Sequence, residues 1–233
     1  MPDFMSGIFQ NLIADVLFLA LSIGVVWVAS QRVRWRVIAA LFRSLRNGIS
    51  NIYFDRSEYI SKRSRSVEQF IASATRNFEY VGIYFSVATD QSRVDDSIKA
   101  LIAKGCRVRL VLLDDQSSNE TLQYLEQAFA LAPASLRQRA IHARDHFIAI
   151  REALAPGERP LLERRLHQLP LLVSAFKIDA GERKSALLID NKWYGAGREK
   201  SFGLEFLGAM KEGTLFETIS KSFARISDQA RSI

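Results

Sequence analysis

Between Asp15 and Arg32 the chain carries no charged residue. The surrounding stretch, "NLIADVLFLALSIGVVWVAS", is apolar but for Asn11, Asp15, Ser22 and Ser30, too few to make a solvent-facing side. Such a helix has no polar face to offer water, so it must lie in a protein core or in lipid. Over Phe9–Ala29 it would be roughly 30 Å long, about one hydrocarbon core. Trp27 and Trp35 stand near its basic end, where aromatic rings favour the membrane interface. A cleaved signal peptide needs a positive leading region, and residues 1–31 contain Asp3 and Asp15 but no Lys or Arg. The expectation is a transmembrane anchor over residues 1–31. Arg32, Arg34, Arg36, Arg43 and Arg46 follow it directly, which sets the N-terminus outside and the rest in the cytoplasm of a bacterial inner-membrane protein.

Asn11, Asp15 and Ser22 fall on one stripe of that helix, and Ala20 and Gly24 lie roughly opposite as a small-xxx-small pair. The pattern suits a helix that pairs with copies of itself, with a polar seam inside the bundle. Asp15 is equally close enough to the outer end to reach the interface, and both readings stand. The expected partners here are the lipid bilayer and a homo-oligomer.

Residues 32–50 read as a basic amphipathic juxtamembrane helix. Val37, Ile38, Leu41, Phe42 and Leu45 share one face, Arg36, Arg43 and Arg46 lie mostly off it, and Asn47-Gly48 ends it as a hinge. Charge is concentrated here. The chain of 233 residues has a net charge of +7, yet residues 32–70 hold nine Lys and Arg against three Asp and Glu. A local collar favours a membrane surface and argues against nucleic acid as a partner. The single cysteine, Cys106, excludes an internal disulfide and a cysteine-rich metal site.

Residues 51–233 alternate between apolar runs and helical periodicity. "SVEQFIASATRN" and "RVDDSIKALIAKG" read as helices, and "FEYVGIYFSV" and "CRVRLVLLDD" as strands. "NETLQYLEQAFAL" reads as a helix capped by Asn119. Residues 134–168 read as helical and Arg-rich, broken at Pro156-Gly157. Three strands follow in "LPLLVSAFKID", "KSALLID" and "FGLEFL", then a closing helix with Leu215, Ile219, Phe223 and Ile226 on its apolar face. The expected fold class is α/β with a parallel sheet.

Two stretches resemble the phospholipase D-like family. "IKALIAKGCRVRLVLLDD" looks like that family's helix and following strand. "SALLIDNKWYGAGREKSFGLEF" looks like the strand, glycine turn and strand around its His-x-Lys-x4-Asp motif. The resemblance covers roughly residues 65–225 and implies a phospholipase D-like α/β sandwich for the cytoplasmic domain. With the motif's Asp on Asp190, Arg183 stands at the histidine position, Ser185 at the lysine position, Gly197 near the glycine and Glu205 near the downstream acid. The family's chemistry needs a histidine nucleophile and lysines on the phosphate. Arginine stays protonated and cannot attack phosphorus, and serine carries no charge. The departure implies a domain without that catalytic pair, and no catalytic residue is assigned.

The frame could still hold an anion. Arg183, Lys184, Lys192, Arg198 and Lys200 surround the two strands, with Asp190, Gly197 and Glu205 beside them. Asp114-Asp115 closes a strand at the end where open α/β sheets bind ligands. His142 and His146 stand one helical turn apart, a spacing that can bind zinc but lacks a third ligand and has Asp145 in the wrong place, so the expectation is an exposed polar helix face. No metal or cofactor is expected.

These features point to a membrane-anchored, non-catalytic sensor or effector that signals binding of an anionic small molecule or a cytoplasmic protein to an oligomeric helix. Bacterial stress or phage defence is a setting suggested by analogy of layout. Two alternatives remain: a membrane-tethered phosphodiesterase or nuclease with an atypical site, and a tether for a cytoplasmic protein.

Overall fold

The computed structural model describes residues 47–54, 67–85, 91–182, 185–192, 194–195, 201–208 and 214–232, without the side chains of 91–94. The anchor residues Asn11, Asp15, Ala20, Ser22, Gly24, Trp27, Arg32, Arg34 and Arg36 lie outside them, as do Arg183, Lys184, Gly197, Arg198 and Lys200. Among the described residues no helix is long and apolar enough to cross a membrane.

Eight strands form one sheet: β1 Ile49–Tyr53, β2 Asn77–Val81, β3 Arg107–Leu113, β4 Leu162–His167, β5 Val173–Ile178, β6 Ala186–Asn191, β7 Phe202–Leu207 and β8 Arg231–Ser232. Their spatial order is β1-β7-β6-β5-β2-β3-β4-β8. The helices are α1 Val67–Ala72, α2 Gln91–Ala103, α3 Asn119–Ala128, α4 Ser135–Ala153 and α5 Leu215–Gln229.

The α/β class stands, but the sheet is mixed and not parallel throughout. Among the described strands only β2–β3 and β3–β4 pair in parallel; β5, β6, β7 and β1, and β8 on β4, pair antiparallel. Connection length explains the split. Parallel neighbours need a crossover of a dozen or more residues, which α2, α3 and α4 supply; β5, β6 and β7 are joined by shorter links. Three further expectations change. Ser118, not Asn119, caps α3, accepting from the Thr121 amide at 3.2 Å. Residues 162–167 are a strand, not helix. Residues 49–50, placed above with the juxtamembrane segment, open β1, and the Gly48 carbonyl accepts from Leu207 N at 3.0 Å.

Each sheet face buries its own core. Phe70 and Ile71 of α1, Ile98 and Leu101 of α2, and Phe147 and Ile150 of α4 pack on Phe78, Tyr80, Leu110, Phe176 and Leu188. On the other face, Phe216 and Phe223 of α5 cover Val81, Val111, Leu187, Ile189 and Phe206. Beyond that apolar patch runs a row of alternating charge. Lys177, Glu79, Arg109 and Glu163 sit side by side in register on β5, β2, β3 and β4, at N–O distances of 3.6, 3.5 and 2.8 Å. The row is self-neutralising, as favourable cross-strand pairs are. It also holds α5: Ser227 donates to Glu79 at 2.6 Å, and Arg165 donates to the Ser227 carbonyl at 2.9 Å.

One carboxylate fixes the entry to β2. Asp179, just past β5, accepts from the backbone amides of Thr75, Arg76 and Asn77 at 2.8–3.2 Å and from the Thr75 hydroxyl at 2.9 Å. Its own amide donates to the Asn77 carbonyl at 2.9 Å. Burial pushes the carboxyl's pKa up, but the bonds from Arg76, Thr75 and Asn77 outweigh it and hold the value below the ordinary 3.8. A depressed folded pKa adds stability that is complete above the unfolded value and is lost as pH falls through the folded one. Asp179→Ala is therefore expected to cost about 2–3 kcal/mol at neutral pH and to flatten the stability curve below pH ~4, as read by urea unfolding across pH.

Candidate functional site

The carboxyl ends of β1, β2, β3, β4 and β6 lie along one edge of the sheet, with the amino ends of β5 and β7 between them. Two of the sequence-derived candidates meet there. Asp190, buried at the end of β6, lies 3.5 Å from Lys192 Nζ. Lys192 donates to Ser174 Oγ at 2.9 Å and sits over the Phe129 ring. Ser174 Oγ in turn is 3.3 Å from the Tyr80 hydroxyl, which donates to the Tyr84 carbonyl at 3.0 Å. Gly82 makes room for this chain: a Cβ there would collide with the Tyr80 hydroxyl and come within 2.8 Å of Ser174 Oγ. Lys192 is thus a buried cation already surrounded by acceptors.

Glu205 is one diagonal step from Asp190 on the same face, since Asp190 pairs with Gly203 and Leu188 with Glu205. Its Oε2 accepts from the Tyr53 hydroxyl at 2.7 Å and Asn51 Nδ2 at 2.9 Å. These bonds seat the edge strand β1. Ser185, at the position of the family's lysine, opens β6 at the end opposite Asp190 and donates to the Gly208 carbonyl at 2.8 Å. Asp114 is three strands from Asp190 in the sheet order. It accepts from the Gln116 amide at 3.0 Å and from Arg231 at 3.2 Å. The structure therefore joins Asp190 with Lys192, sets Glu205 beside them in a structural role, and leaves Asp114 apart.

Near Asp114, His167 ends β4 with both ring nitrogens used. Nε2 donates to the Gly82 carbonyl at 3.0 Å, and Nδ1 accepts from the Leu169 amide at 3.2 Å. That pattern is a neutral imidazole. Burial holds its pKa below the ordinary 6.5, against the opposing pull of the Gly82 carbonyl and the Asp114 charge.

A more open site lies beneath α4. A cavity of about 460 Å³ has Phe85, Leu110, Leu112, Phe147 and Ile150 as its floor and Gln138, Arg139, His142 and His146 on its wall. Its size falls within the usual range for small-ligand sites, and so does its make-up of apolar floor and few polar groups. Arg139 donates to the Tyr84 hydroxyl at 3.1 Å and lies over that ring. His142 and His146 stack with ring centres 6.5 Å apart. His146 Nε2 is 2.6 Å from Asp95 Oδ1 on α2. His142 is exposed, as an exposed face requires, and His146 is half-buried against α2; both line the cavity wall. Among the described residues no three His, Cys, Asp or Glu side chains stand close enough to hold a metal ion. Sequence reading singled out the histidine pair but not the cavity, because its floor joins α4 to β3 and to the chain after β2.

No protein-family model matches this chain, and no curated protein matches it. Among solved structures, the archaeal chromatin protein TrmBL2, described as showing a novel mode of DNA binding, aligns over 97% of this chain and 69% of its own, with 11% identity and a TM-score of 0.46. Phosphatidylserine synthase from Haemophilus influenzae Rd KW20, a phospholipase D-like superfamily member, aligns over 72% of this chain and 36% of its own, with 15% identity and a TM-score of 0.46.

The clamp on β1 gives a direct test. Tyr53→Phe removes one bond to a buried carboxylate and is expected to cost about 1–2 kcal/mol. Glu205→Ala strands both donors and should cost more. In each variant hydrogen exchange should accelerate across residues 49–53 while α4 is unchanged.

Proposed function

We propose that this chain is a membrane-tethered binding protein whose C-terminal α/β domain, phospholipase D-like in pattern, senses a small organic anion without cleaving it. The observation that carries the reading is the cavity beneath α4. Its apolar floor would take a flat or aliphatic body, and Arg139 with the two histidines would take an acceptor or a negative charge. The absence of the family's histidine and lysine at Arg183 and Ser185 supports binding over phosphoryl chemistry. The uncharged stretch before Arg32 supports a single-pass anchor with the domain on the cytoplasmic side. A self-associating helix behind Gly48 would be the output, and a bacterial stress or defence role rests on that layout alone.

The alternative is a hydrolase, and one observation favours it: His146 is oriented by Asp95 at 2.6 Å in the cavity wall, an arrangement suited to a general base.

The two readings separate in one set of assays. Calorimetric titration of the detergent-solubilised full chain with a naphthalene sulfonate should show saturable binding. Arg139→Ala and His146→Leu should each weaken it about tenfold or more, a loss of one charge-assisted bond. The same protein should leave bis(p-nitrophenyl) phosphate intact. Hydrolysis that collapses in His146→Ala would instead establish the enzyme, and light scattering that finds a monomeric full chain would remove the oligomeric output.

A further inference from the structure

Arg164 is an arginine in the interior. It lies on β4, between Leu162 and Leu166 on the same face, and is 6% exposed. Its Nη1 has no hydrogen-bond partner among the described residues. The guanidinium carbon sits 5.4 Å from the centre of the Phe147 ring. The acids whose charge it feels are held by other arginines. Asp115 is bound by Arg144 at 2.7 Å, Asp145 by Arg144 at 3.0 Å, and Asp114 by Arg231 at 3.2 Å. Burial depresses the pKa of Arg164, and Arg144 pushes it the same way, against Asp115, Asp114 and Asp145. A buried guanidinium left this way is costly unless something else answers its charge.

Arg164 lines a cleft of about 420 Å³ on the far side of Phe147 from the histidine cavity. Arg151 and Glu152 of α4 and Arg159 of the turn before β4 form its rim. Three guanidinium groups thus face one carboxylate. Arg159 is fixed in place, its Nε donating to the Leu154 carbonyl at 3.2 Å and its Nη2 to the Glu152 carbonyl at 3.3 Å. Arg151 is exposed and can swing over the opening. Planar guanidinium groups bind tetrahedral oxyanions with paired N–H bonds.

We infer that the cleft formed by Arg164, Arg159 and Arg151 is a binding site for a phosphate-type oxyanion, separate from the cavity assigned above. Arg164 supplies the desolvated charge at the bottom, Arg159 adds a fixed charge at the rim, and Arg151 meets the remaining oxygens from the exposed side. A free phosphomonoester and a lipid phosphate headgroup share this chemistry.

The test is thermal unfolding of the detergent-solubilised full chain in inorganic phosphate against chloride at equal ionic strength, repeated with dioctanoyl phosphatidic acid. At a hundredfold excess over Kd, phosphate should raise Tm by roughly 5–10 °C. Arg164→Met keeps an unbranched, flexible side chain but removes the guanidinium and its charge. It should equal or exceed the parent Tm in chloride and lose the phosphate response, whereas an arginine present only to support the fold would make Arg164→Met less stable. Arg151→Ala, on the exposed rim, should weaken phosphate binding several-fold without changing Tm in chloride, and it serves if Arg164→Met fails to fold. Tighter binding of phosphatidic acid than of phosphate by tenfold or more assigns a lipid headgroup, and equal or weaker binding assigns a soluble anion. The inference is overturned if neither anion shifts Tm, or if Arg164→Met or Arg151→Ala retains the full response. Without phosphate, binding of the naphthalene sulfonate probe should be unchanged in Arg151→Ala, which separates this site from the histidine cavity.

Discussion

Strand β2 is hydrogen-bonded to β3 in parallel and to β5 in antiparallel register, and the remaining strands extend from that junction. The junction is fixed at its entry by the Asp179 carboxylate, which gathers three successive amides from the chain leading into β2. Asp179 itself sits at φ +49°, a left-handed conformation that aspartate tolerates better than most residues. With the entry of β2 set, its exit follows. Tyr80 crosses Gly82 toward Ser174, and the chain continues through Tyr84 and Phe85 into the cavity wall. The wall of the cavity beneath α4 is thus linked through β2 to the carboxylate at that strand's entry.

Half-buried charges line the sheet, and they are matched across strands. Lys177, Glu79, Arg109 and Glu163 alternate across four strands. Lys192 lies between Asp190, Ser174 and the Phe129 face. Buried ion pairs of this kind add little net stability, because desolvation consumes the Coulombic gain, but removing one partner is expensive. They act mainly to fix register. Arg164, 6% exposed and with its Nη1 lacking a hydrogen bond among the described residues, departs from this pattern and suits half of a pair whose other half comes from outside.

Helices and strands with clean periodicity were legible from the sequence. α2, α3 and α5, and strands β2, β3, β5, β6 and β7, all fall where their apolar spacing put them. β4 was not legible, and Arg164 is the reason. Leu162, Arg164 and Leu166 are buried in alternation, but a charged residue at the middle position breaks the apolar alternation that signals a strand. β1 was hidden because its partner β7 lies about 150 residues away and its stability comes from Glu205 bonds that no local pattern reveals. The mixed sheet was missed because strand direction depends on which neighbours pair, and short apolar runs carry no direction. At the candidate site, Asp190 and Lys192 were close in sequence and were found together. The link between His146 and Asp95 spans two helices and could not be read from either.

Both clefts use the same helix. α4 presents Arg139, His142 and His146 to one cavity and Arg151 and Glu152 to the other, and the Phe147 ring belongs to both walls. A ligand in either cleft would press on Phe147, which is itself buried against the sheet. Densely packed interiors pass small displacements along instead of absorbing them. An anion drawn to Arg164 would also change the electrostatic setting of Arg144 and Asp115, which tie the middle of α4 to the end of β3. Coupling between the two sites then needs no distant pathway: it requires only that α4 have two seatings on β3 and β4 and that each ligand favour one of them. In that arrangement the charge left unanswered in the folded chain is what makes the helix responsive, since a fully paired Arg164 would leave an anion nothing to change.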